Sequence, residues 1–323
     1  MSSDEIASDK TAAENTASEK MNSEGAASGQ KCGYVAIVGR PNVGKSTLLN
    51  KLLGQKISIT SKKAQTTRHQ ILGVKTIDEV QYIYVDTPGI HKNERNSLNA
   101  VMNKAALSAL NDADLIIVMI DRTRITEEDR MVLEAATASQ RPVMLLINKI
   151  DELEDKTSLL PFIDELRKSF NFEGFVPISA MKGWQLDELE AEIAAYLPEG
   201  VHLFPDDQIT DRSIRFLCAE ILREKIMRQL GDEVPYGVAV EIEQWGQEGK
   251  TLHIGMIVWV EREGQRKILI GSKGDKLKRI GTDARRDIEH LTGSTVMLKT
   301  WVKVKSGWSN SARALKTLGY DER

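Results

Sequence analysis

The chain has 323 residues, of which 41% are hydrophobic and 28% charged, and its formal net charge is −3. This length favours two domains, and this composition is that of ordinary globular proteins, which excludes a fibrous or wholly disordered chain. No apolar run approaches the ~20 residues that a membrane span requires, so the sequence predicts a cytosolic protein.

Residues 1–31 differ from the rest of the chain. They contain six acidic residues, three basic residues and no aromatic residue. Because such a segment buries too little apolar surface to offset the entropy lost on ordering, we expect a disordered acidic tail. Cys32 and Cys218 are the two cysteines, and they lie far apart in the sequence. Their spacing predicts free thiols rather than a disulfide or a zinc site.

Residues 32–200 alternate apolar, strand-like runs with stretches of helical pattern. Continuous apolar strands separated by helices are typical of a mostly parallel α/β sheet with helices on both faces. The predicted strands cover residues 34–38, 71–77, 80–85, 115–120, 143–147 and 175–178, and the predicted helices cover 47–53, 97–111, 127–139, 159–170 and 187–197. Only two residues separate the second and third strands, which predicts a hairpin and one antiparallel strand.

The order of elements changes after a proline-containing segment, which predicts a linker at residues 201–210 and a second domain at residues 211–323. A helix is expected at residues 212–230, with Ile214, Leu217, Ile221, Ile226 and Leu230 on one apolar face. Strands at 237–245 and 252–261, helices at 265–270 and 275–291, and a strand at 295–304 should follow. This order predicts a smaller α+β domain.

A glycine loop with the pattern G-x-x-x-x-G-K-S follows the first strand and precedes the first helix. In this setting the backbone N–H groups and the helix N-terminus face phosphate oxygens, the lysine reaches a phosphate, and the serine hydroxyl reaches Mg²⁺. The residues predicted to surround the phosphates are Gly39, Arg40, Pro41, Asn42, Val43, Gly44, Lys45, Ser46 and Thr47.

The third predicted strand ends in Asp86, Thr87, Pro88, Gly89 and Ile90. A carboxylate at the carboxyl end of a central strand lies where α/β proteins bind ligands, so Asp86 is predicted to hold Mg²⁺, through water, and the Gly89 amide to face the terminal phosphate.

A polar segment at residues 64–69 contains two adjacent threonines. Such a threonine would bind Mg²⁺ and the γ-phosphate in the triphosphate state only. We favour Thr67 over Thr66, and the sequence leaves both open. The predicted Mg²⁺ ligands are therefore Ser46, Thr67 and Asp86, and the predicted catalytic residues are Lys45, Thr67 and Gly89.

The fifth strand ends in Asn148, Lys149, Ile150 and Asp151. The Asp151 carboxylate can accept two hydrogen bonds from the N1–H and amino group of guanine, and adenine offers neither donor, so this residue would select the base. Ser179 and Ala180 follow the next strand and are suited to placing a backbone N–H near the guanine carbonyl. The sequence therefore predicts GTP and GDP as ligands.

These four elements resemble the G1, G3, G4 and G5 boxes of translation-factor-type GTPases. One residue departs from the Ras-like pattern, because Ile90 stands where a glutamine orients the attacking water. Slow intrinsic hydrolysis, as in a molecular switch, is the expected consequence. Asn42 resembles the asparagine that binds a monovalent cation in potassium-stimulated relatives, so K⁺ is a further expected ligand.

The second domain concentrates positive charge. Residues 262–305 contain twelve basic and five acidic residues, as nucleic-acid binding requires. A G-x-x-G loop lies in this region, and with its flanking elements it resembles a type II KH domain, whose loop clamps single-stranded nucleic acid. The predicted RNA-binding residues are Gly271, Ser272, Lys273, Gly274, Lys276, Lys278 and Arg279. Trp301 could stack on a base or belong to the core.

The two domains together resemble the Era family of bacterial GTPases, over nearly all residues after Lys31. The resemblance implies a monomeric GTP-hydrolysing switch that binds the 3′ region of 16S rRNA during assembly of the small (30S) ribosomal subunit and associates peripherally with the inner membrane. Two alternatives stay open: a signalling GTPase that acts on a protein or lipid at the membrane, and an RNA-binding module whose nucleotide site is structural.

Overall fold

The computed structural model describes residues 29–61, 63, 65–90, 97–231 and 237–320. Most of the predicted acidic tail, residues 1–28, lies outside the described residues. Within the described part of the chain, no helix has the length and apolar character of a membrane span.

The first domain contains a six-stranded sheet in the order β2-β3-β1-β4-β5-β6. All neighbouring strands are parallel except β2 and β3, which form the predicted hairpin with Ile77 opposite Val80. The strands are β1 (Lys31–Val38), β2 (Ile71–Ile77), β3 (Val80–Asp86), β4 (Leu115–Asp121), β5 (Val143–Asn148) and β6 (Gly174–Pro177). The predicted mostly parallel α/β sheet is confirmed.

Helices cover both faces of this sheet, because alternate strand residues enter two separate apolar clusters. Val35 of β1 joins the cluster with α1 and α5, and Ala36 joins the cluster with α2, α3 and α4. Both residues are fully buried. The helices are α1 (Lys45–Leu52), α2 (Ser97–Asp112), α3 (Glu127–Ala138), α4 (Leu159–Ser169) and α5 (Leu186–Tyr196).

The second domain packs helices against a three-stranded sheet in the order β7-β8-β9, with β7 antiparallel and β9 parallel to β8. Its core includes Leu222, Met256, Leu269 and Ile280, one from each of four elements. The elements are α6 (Ile214–Gln229), β7 (Ala239–Glu248), β8 (Thr251–Val260), α7 (Glu263–Ile270), α8 (Asp275–Thr292) and β9 (Thr295–Val304). The predicted α+β arrangement is confirmed.

The apolar face predicted for α6 is buried at Leu217, Ile221, Ile226 and Leu230, but Ile214 departs from it. Ile214 is 53% exposed, whereas Glu220, Arg223 and Glu224 are buried. The reason is that α6 contacts its own sheet on one side and the first domain on the other. Charged residues at that interface are therefore buried with partners, and the hydrophobic pattern of an isolated helix does not reveal this.

The segment between the domains lies along the open edge of the first sheet. The N–H of Val74 in β2 donates to the carbonyl oxygen of Ile209 at 2.8 Å, and Thr210 forms a β-bridge with Gly73. Earlier in this segment, the N–H groups of Leu203 and Phe204 donate to the side-chain oxygen of Gln81 in β3. The domain limits and the linker stay predictions, but residues 201–210 clearly have a packed, hydrogen-bonded path.

A short C-terminal helix, α9 (Ala312–Thr317), was not predicted. Together with Trp308, which is fully buried, it packs on Leu98 and Met102 of α2 in the first domain. Trp301 is 38% exposed and lies outside the core clusters. Of the two positions that the sequence left open, core or surface, the structure therefore shows the surface.

Candidate nucleotide-binding and RNA-binding sites

The phosphate loop joins the end of β1 to the start of α1 through strained glycine positions. Gly44 has a φ of 112°, and a Cβ atom there would lie 2.3 Å from Nδ2 of Asn148. Asn42 is also in the left-handed region, with a φ of 65°. A residue with a side chain cannot occupy Gly44, so the loop keeps the tight curl that brings backbone N–H groups to a phosphate.

Lys45 lies beneath this loop and is 6% exposed. Its Nζ donates to the carbonyl oxygens of Gly39 at 2.9 Å and Arg40 at 3.1 Å. Burial lowers the pKa of Lys45 to about 8, and the nearby Asp86 carboxylate opposes this effect. A cation that is buried and held only by carbonyl groups is suited to pair with an incoming anion.

Asp86 is the centre of a buried polar cluster at the carboxyl end of β3. Its Oδ2 accepts hydrogen bonds from Ser46 Oγ at 2.7 Å and Ser58 Oγ at 2.8 Å. Its Oδ1 is buried and has no hydrogen-bond partner among the described residues. Burial raises the pKa of Asp86, and Lys45 and the hydroxyl donors counteract that rise.

The two threonines of the polar segment face different groups. Thr67 Oγ1 lies 2.8 Å from Ser46 Oγ and 3.5 Å from Asp86 Oδ2. Thr66 Oγ1 donates instead to the carbonyl oxygen of Lys63 at 2.6 Å. The structure therefore brings together Ser46, Thr67 and Asp86, the three residues predicted to bind Mg²⁺, and directs Thr66 elsewhere.

The residues predicted to bind the base form a chain of hydrogen bonds that reaches the phosphate loop. Asn148 donates from Nδ2 to the carbonyl oxygen of Val43 at 2.7 Å and accepts at Oδ1 from the Ala180 N–H at 2.9 Å. Ser179 Oγ donates to Asp151 Oδ1 at 2.6 Å. This bonding joins β5, the β6 loop and the phosphate loop in one rigid frame and orients the Asp151 carboxylate.

A cavity of about 860 Å³ connects the two halves of this site. Lys45 and Thr67 line one part, and Lys149 and Met181 line another. Lys149 has a φ of 64° and its Nζ forms an ion pair with Asp121 at 2.7 Å, so its side chain is held in place. A cavity of this size suits a nucleotide.

Some predicted site residues direct their side chains away from the cavity. The Arg40 guanidinium lies 3.0 Å from Asp129 and thereby joins the loop to α3. Thr87 Oγ1 donates to the carbonyl oxygen of Ile37 at 2.9 Å, and Ile90 is buried in the apolar cluster of the sheet. Only the main chain of these residues is left for nucleotide contact.

Sequence reasoning missed several residues of the site. Ser58 bonds to Asp86, and Met227 and Arg228 of α6 line the cavity from the second domain. Ser58 belongs to no recognised motif. The two α6 residues have no local signal either, because their position depends on how the domains dock.

The G-x-x-G loop has the backbone that its glycines permit. Gly271, Lys273 and Gly274 have φ values of 74°, 50° and 84°. The side chains of Lys273, Lys278 and Arg279 are exposed, and within the described part of the chain they form no ion pair. The loop therefore presents a turn with the exposed Lys273 between α7 and α8, and the first turns of α8 add Lys278 and Arg279.

Two family models match the chain: one described as a 50S ribosome-binding GTPase over residues 34–149, and one described as a KH domain over residues 233–309. Together with the phosphate loop, the base-binding frame and the G-x-x-G loop, they define a GTPase domain joined to a KH domain.

The chain is 60% identical over 292 residues to the GTPase Era of Pseudomonas savastanoi pv. phaseolicola, a match that covers 90% of this chain and 97% of that protein. It is 58% identical over 295 residues to the GTPase Era of Pseudomonas aeruginosa strain LESB58, covering 91% and 97%. The chain therefore belongs to the Era family of GTPases.

Solved structures agree with this assignment. Era in complex with MgGDPNP and nucleotides 1506–1542 of 16S ribosomal RNA is 44% identical and has a TM-score of 0.87, with 91% of this chain and 100% of that chain covered. A variant of Aquifex aeolicus Era bound to GDP·AlF4⁻ has the same identity and coverage and a TM-score of 0.88. The predicted fold class and the predicted GTPase activity are confirmed by these relationships.

Proposed function

We propose that this protein is a GTP-hydrolysing switch that binds Mg²⁺ with its nucleotide through Ser46, Thr67 and Asp86. The observation that supports this most directly is the Asp86 cluster, in which the hydroxyl groups of Ser46, Ser58 and Thr67 converge on a buried carboxylate whose Oδ1 has no hydrogen-bond partner among the described residues. Oxygen ligands of this kind are those that Mg²⁺ prefers. When bound, the ion would neutralise negative charge on the β- and γ-phosphates.

The Asp151 carboxylate would select guanine, and Ser179 would orient it. Asp151→Asn exchanges a hydrogen-bond acceptor for a donor. The substitution should therefore lower the affinity for GTP and allow xanthosine nucleotides to bind. The measurement is the affinity for GDP and for xanthosine diphosphate. Asp155→Asn is the matched control, because the exposed Asp155 carboxylate accepts hydrogen bonds from nearby Thr157. Unchanged guanine preference in Asp151→Asn would refute base selection by this residue.

Hydrolysis would be slow in the absence of a cation, since the buried Ile90 cannot orient a water molecule. The exposed Asn42 in the phosphate loop would hold K⁺, which would supply positive charge at the phosphates. Turnover measured in potassium and in sodium buffer tests this. Equal rates in both buffers would exclude a potassium site.

The KH domain would bind single-stranded RNA through residues 271–274 and the basic residues that follow. Because the Era chain of known structure was solved with nucleotides 1506–1542 of 16S ribosomal RNA, we propose the same 3′ region as the target here, and assembly of the 30S subunit as the process.

The RNA site can be tested with a charge placed in the loop. Gly274→Asp introduces a carboxylate where φ is 84° and where phosphate should lie, so affinity for a 16S 3′-end oligonucleotide should fall at least tenfold while GDP affinity stays unchanged. Gly264→Asp is the control, since the same charge enters the same domain at a position with φ outside the left-handed region and open space around it. Equal RNA affinity in the wild-type protein, Gly274→Asp and Gly264→Asp would refute the assignment of the RNA-binding site to this loop.

The monomeric state, binding to the 30S subunit and peripheral association with the inner membrane stay predictions. Size-exclusion chromatography and co-sedimentation with ribosomal subunits test the first two. Flotation with anionic liposomes, with and without competing RNA, tests the third. Liposome binding that RNA does not displace would favour the alternative function, a signalling GTPase at the membrane.

A further inference from the structure

Glu224 of α6 is a buried carboxylate that contacts the first domain. None of its side chain is exposed. It accepts hydrogen bonds from the N–H of Thr60 at 2.9 Å and from Thr60 Oγ1 at 3.3 Å. It also forms ion pairs with Lys56 at 2.5 Å and Arg228 at 3.0 Å. A buried carboxylate with this many donors has a fixed position, because moving any partner would leave charge unpaired.

The adjacent residue on α6 holds the other end of the same segment. Arg223 is 1% exposed, forms an ion pair with Glu220 at 2.6 Å, and donates from Nη2 to the carbonyl oxygen of Thr66. Between these two anchors, Lys63 donates to the carbonyl oxygen of Gly231, beyond the end of α6, at 2.9 Å. Helix α6 and Gly231, just beyond its end, thus bind this segment of the first domain at Thr60, at Lys63 and at Thr66.

The position of Thr67 depends on these anchors, because Thr67 is the next residue in the chain. The first domain holds the start of the segment through Asn50, whose Oδ1 accepts from the N–H groups of Ile57 and Ser58 at 3.0 Å. Helix α6 holds the main chain of this segment at its two ends, Thr60 and Thr66. The first domain adds a side-chain contact within it, in which Gln65 Nε2 donates to Asn99 Oδ1 at 2.9 Å. Arg228, which binds the Thr60 carbonyl oxygen at 2.9 Å, lines the nucleotide cavity beside this segment.

We infer that Glu224 is a positioning residue for GTP hydrolysis, which acts through Thr60 on the segment that places Thr67 beside Ser46 and Asp86. The inference rests on the proposed function of this site. A displacement of about 1 Å at a reacting group can cost about 100-fold in rate. The phosphate loop and the residues predicted to bind the base do not contact Glu224. Loss of its carboxylate should therefore slow GTP turnover without lowering the affinity for GDP.

The test compares Glu224→Ala and Glu224→Gln in the full-length protein. We expect Glu224→Ala to lower kcat about 10- to 100-fold, with KM for GTP and Kd for GDP close to wild type, because only an interaction used in the reacting state is lost. Glu224→Gln keeps an oxygen for the Thr60 N–H and should recover part of the rate. Thr60→Val, which removes the hydroxyl that binds Glu224 and Arg228, should lower kcat in the same way.

Lys225→Ala is the matched control, since Lys225 follows Glu224 on α6 but pairs with Asp287 of its own domain at 2.5 Å. It should retain the wild-type kcat. Wild-type kcat in both Glu224→Ala and Thr60→Val, or an equal loss of kcat in Lys225→Ala, would overturn the inference. Absence of GTP turnover in the wild-type protein would instead refute the proposed function itself.

Discussion

The phosphate loop at residues 39–46 and the G-x-x-G loop at residues 271–274 both use left-handed glycines to turn the chain between two elements. Their lysines lie in opposite environments. Lys45 is 6% exposed and bound to two carbonyl groups, whereas Lys273 is exposed and has no ion pair among the described residues.

The difference indicates two ways to bind phosphate. In the phosphate loop, we expect one buried cation to contact the phosphate at low dielectric constant. Each such contact should contribute strongly to the binding free energy and should depend on the exact position of the cation. In the exposed loop, several cations act together through a screened field, so each contributes little and the sum depends on salt. The effects of substitutions on ligand binding and turnover should therefore differ between the two loops, both in magnitude and in their dependence on salt concentration.

The largest effect is expected from Lys45→Ala. Removing the buried cation should lower GTP turnover about 100- to 1,000-fold, the loss typical of a preorganised donor at developing charge, and should leave RNA affinity unchanged. Single-turnover hydrolysis and RNA binding would be measured side by side. Lys51→Ala, an exposed lysine on the same helix, is the control, and an equal loss there would contradict the special role of Lys45.

A smaller and additive effect is expected at the exposed loop. Lys273→Ala, Lys276→Ala and Lys278→Ala should each weaken RNA binding modestly and reduce the slope of log affinity against log salt by about 1. Affinity titrations at several salt concentrations measure both quantities. Should one substitution abolish binding and the others do nothing, the loop would resemble the buried site rather than a screened surface.

Ser179→Ala should have an effect of a few-fold only. The hydroxyl donates to Asp151 at 2.6 Å and orients it without touching the base, so only a fraction of the about 1.5–3 kcal/mol that a hydrogen bond to a charged group contributes should be lost from GDP binding. GDP affinity is the measurement. Ser158→Ala, whose exposed hydroxyl binds a backbone carbonyl nearby, should match wild type, and a loss above 100-fold in Ser179→Ala would mean a direct role in base binding.

The smallest effect is proton uptake by Lys45. Burial lowers its pKa to about 8, so near pH 8 about half of the free protein carries the proton, and the phosphates of GDP would raise the pKa. GDP binding should therefore take up about half a proton near pH 8 and almost none at pH 6, and affinity should fall as pH rises above 8. Calorimetry in buffers of different ionisation enthalpy measures this uptake, and Lys45→Met should abolish it.

The residues that local motifs predict for the nucleotide site lie together in the structure, because strand order is enough to bring the motifs together. Asp86 and Asn148 are the last residues of β3 and β5, Ser179 follows β6, and the carboxyl ends of parallel strands meet at the same edge of the sheet. The choice between Thr66 and Thr67 needed the structure, because both residues have the same chemistry and adjacent positions.

The contacts between the domains could not be predicted. Glu224 and Thr60 are 164 residues apart and belong to different domains, and complementarity between two folded surfaces has no local sequence pattern. Within the first domain, the contact between Arg40 and Asp129 of α3 joins residues 89 positions apart and also has no local sequence pattern. The buried charged residues of α6 depart from the amphipathic helix pattern, because that pattern assumes that charged residues face solvent.

The segment that pairs with β2 also protects the sheet from self-association. Ile209 and Thr210 occupy the hydrogen-bonding groups of Val74 and its neighbours, which would otherwise form an uncovered strand edge able to pair with a second molecule. A GTPase fragment that ends at residue 200 would expose this edge and should aggregate more readily than one that ends after residue 211, a difference that light scattering would measure.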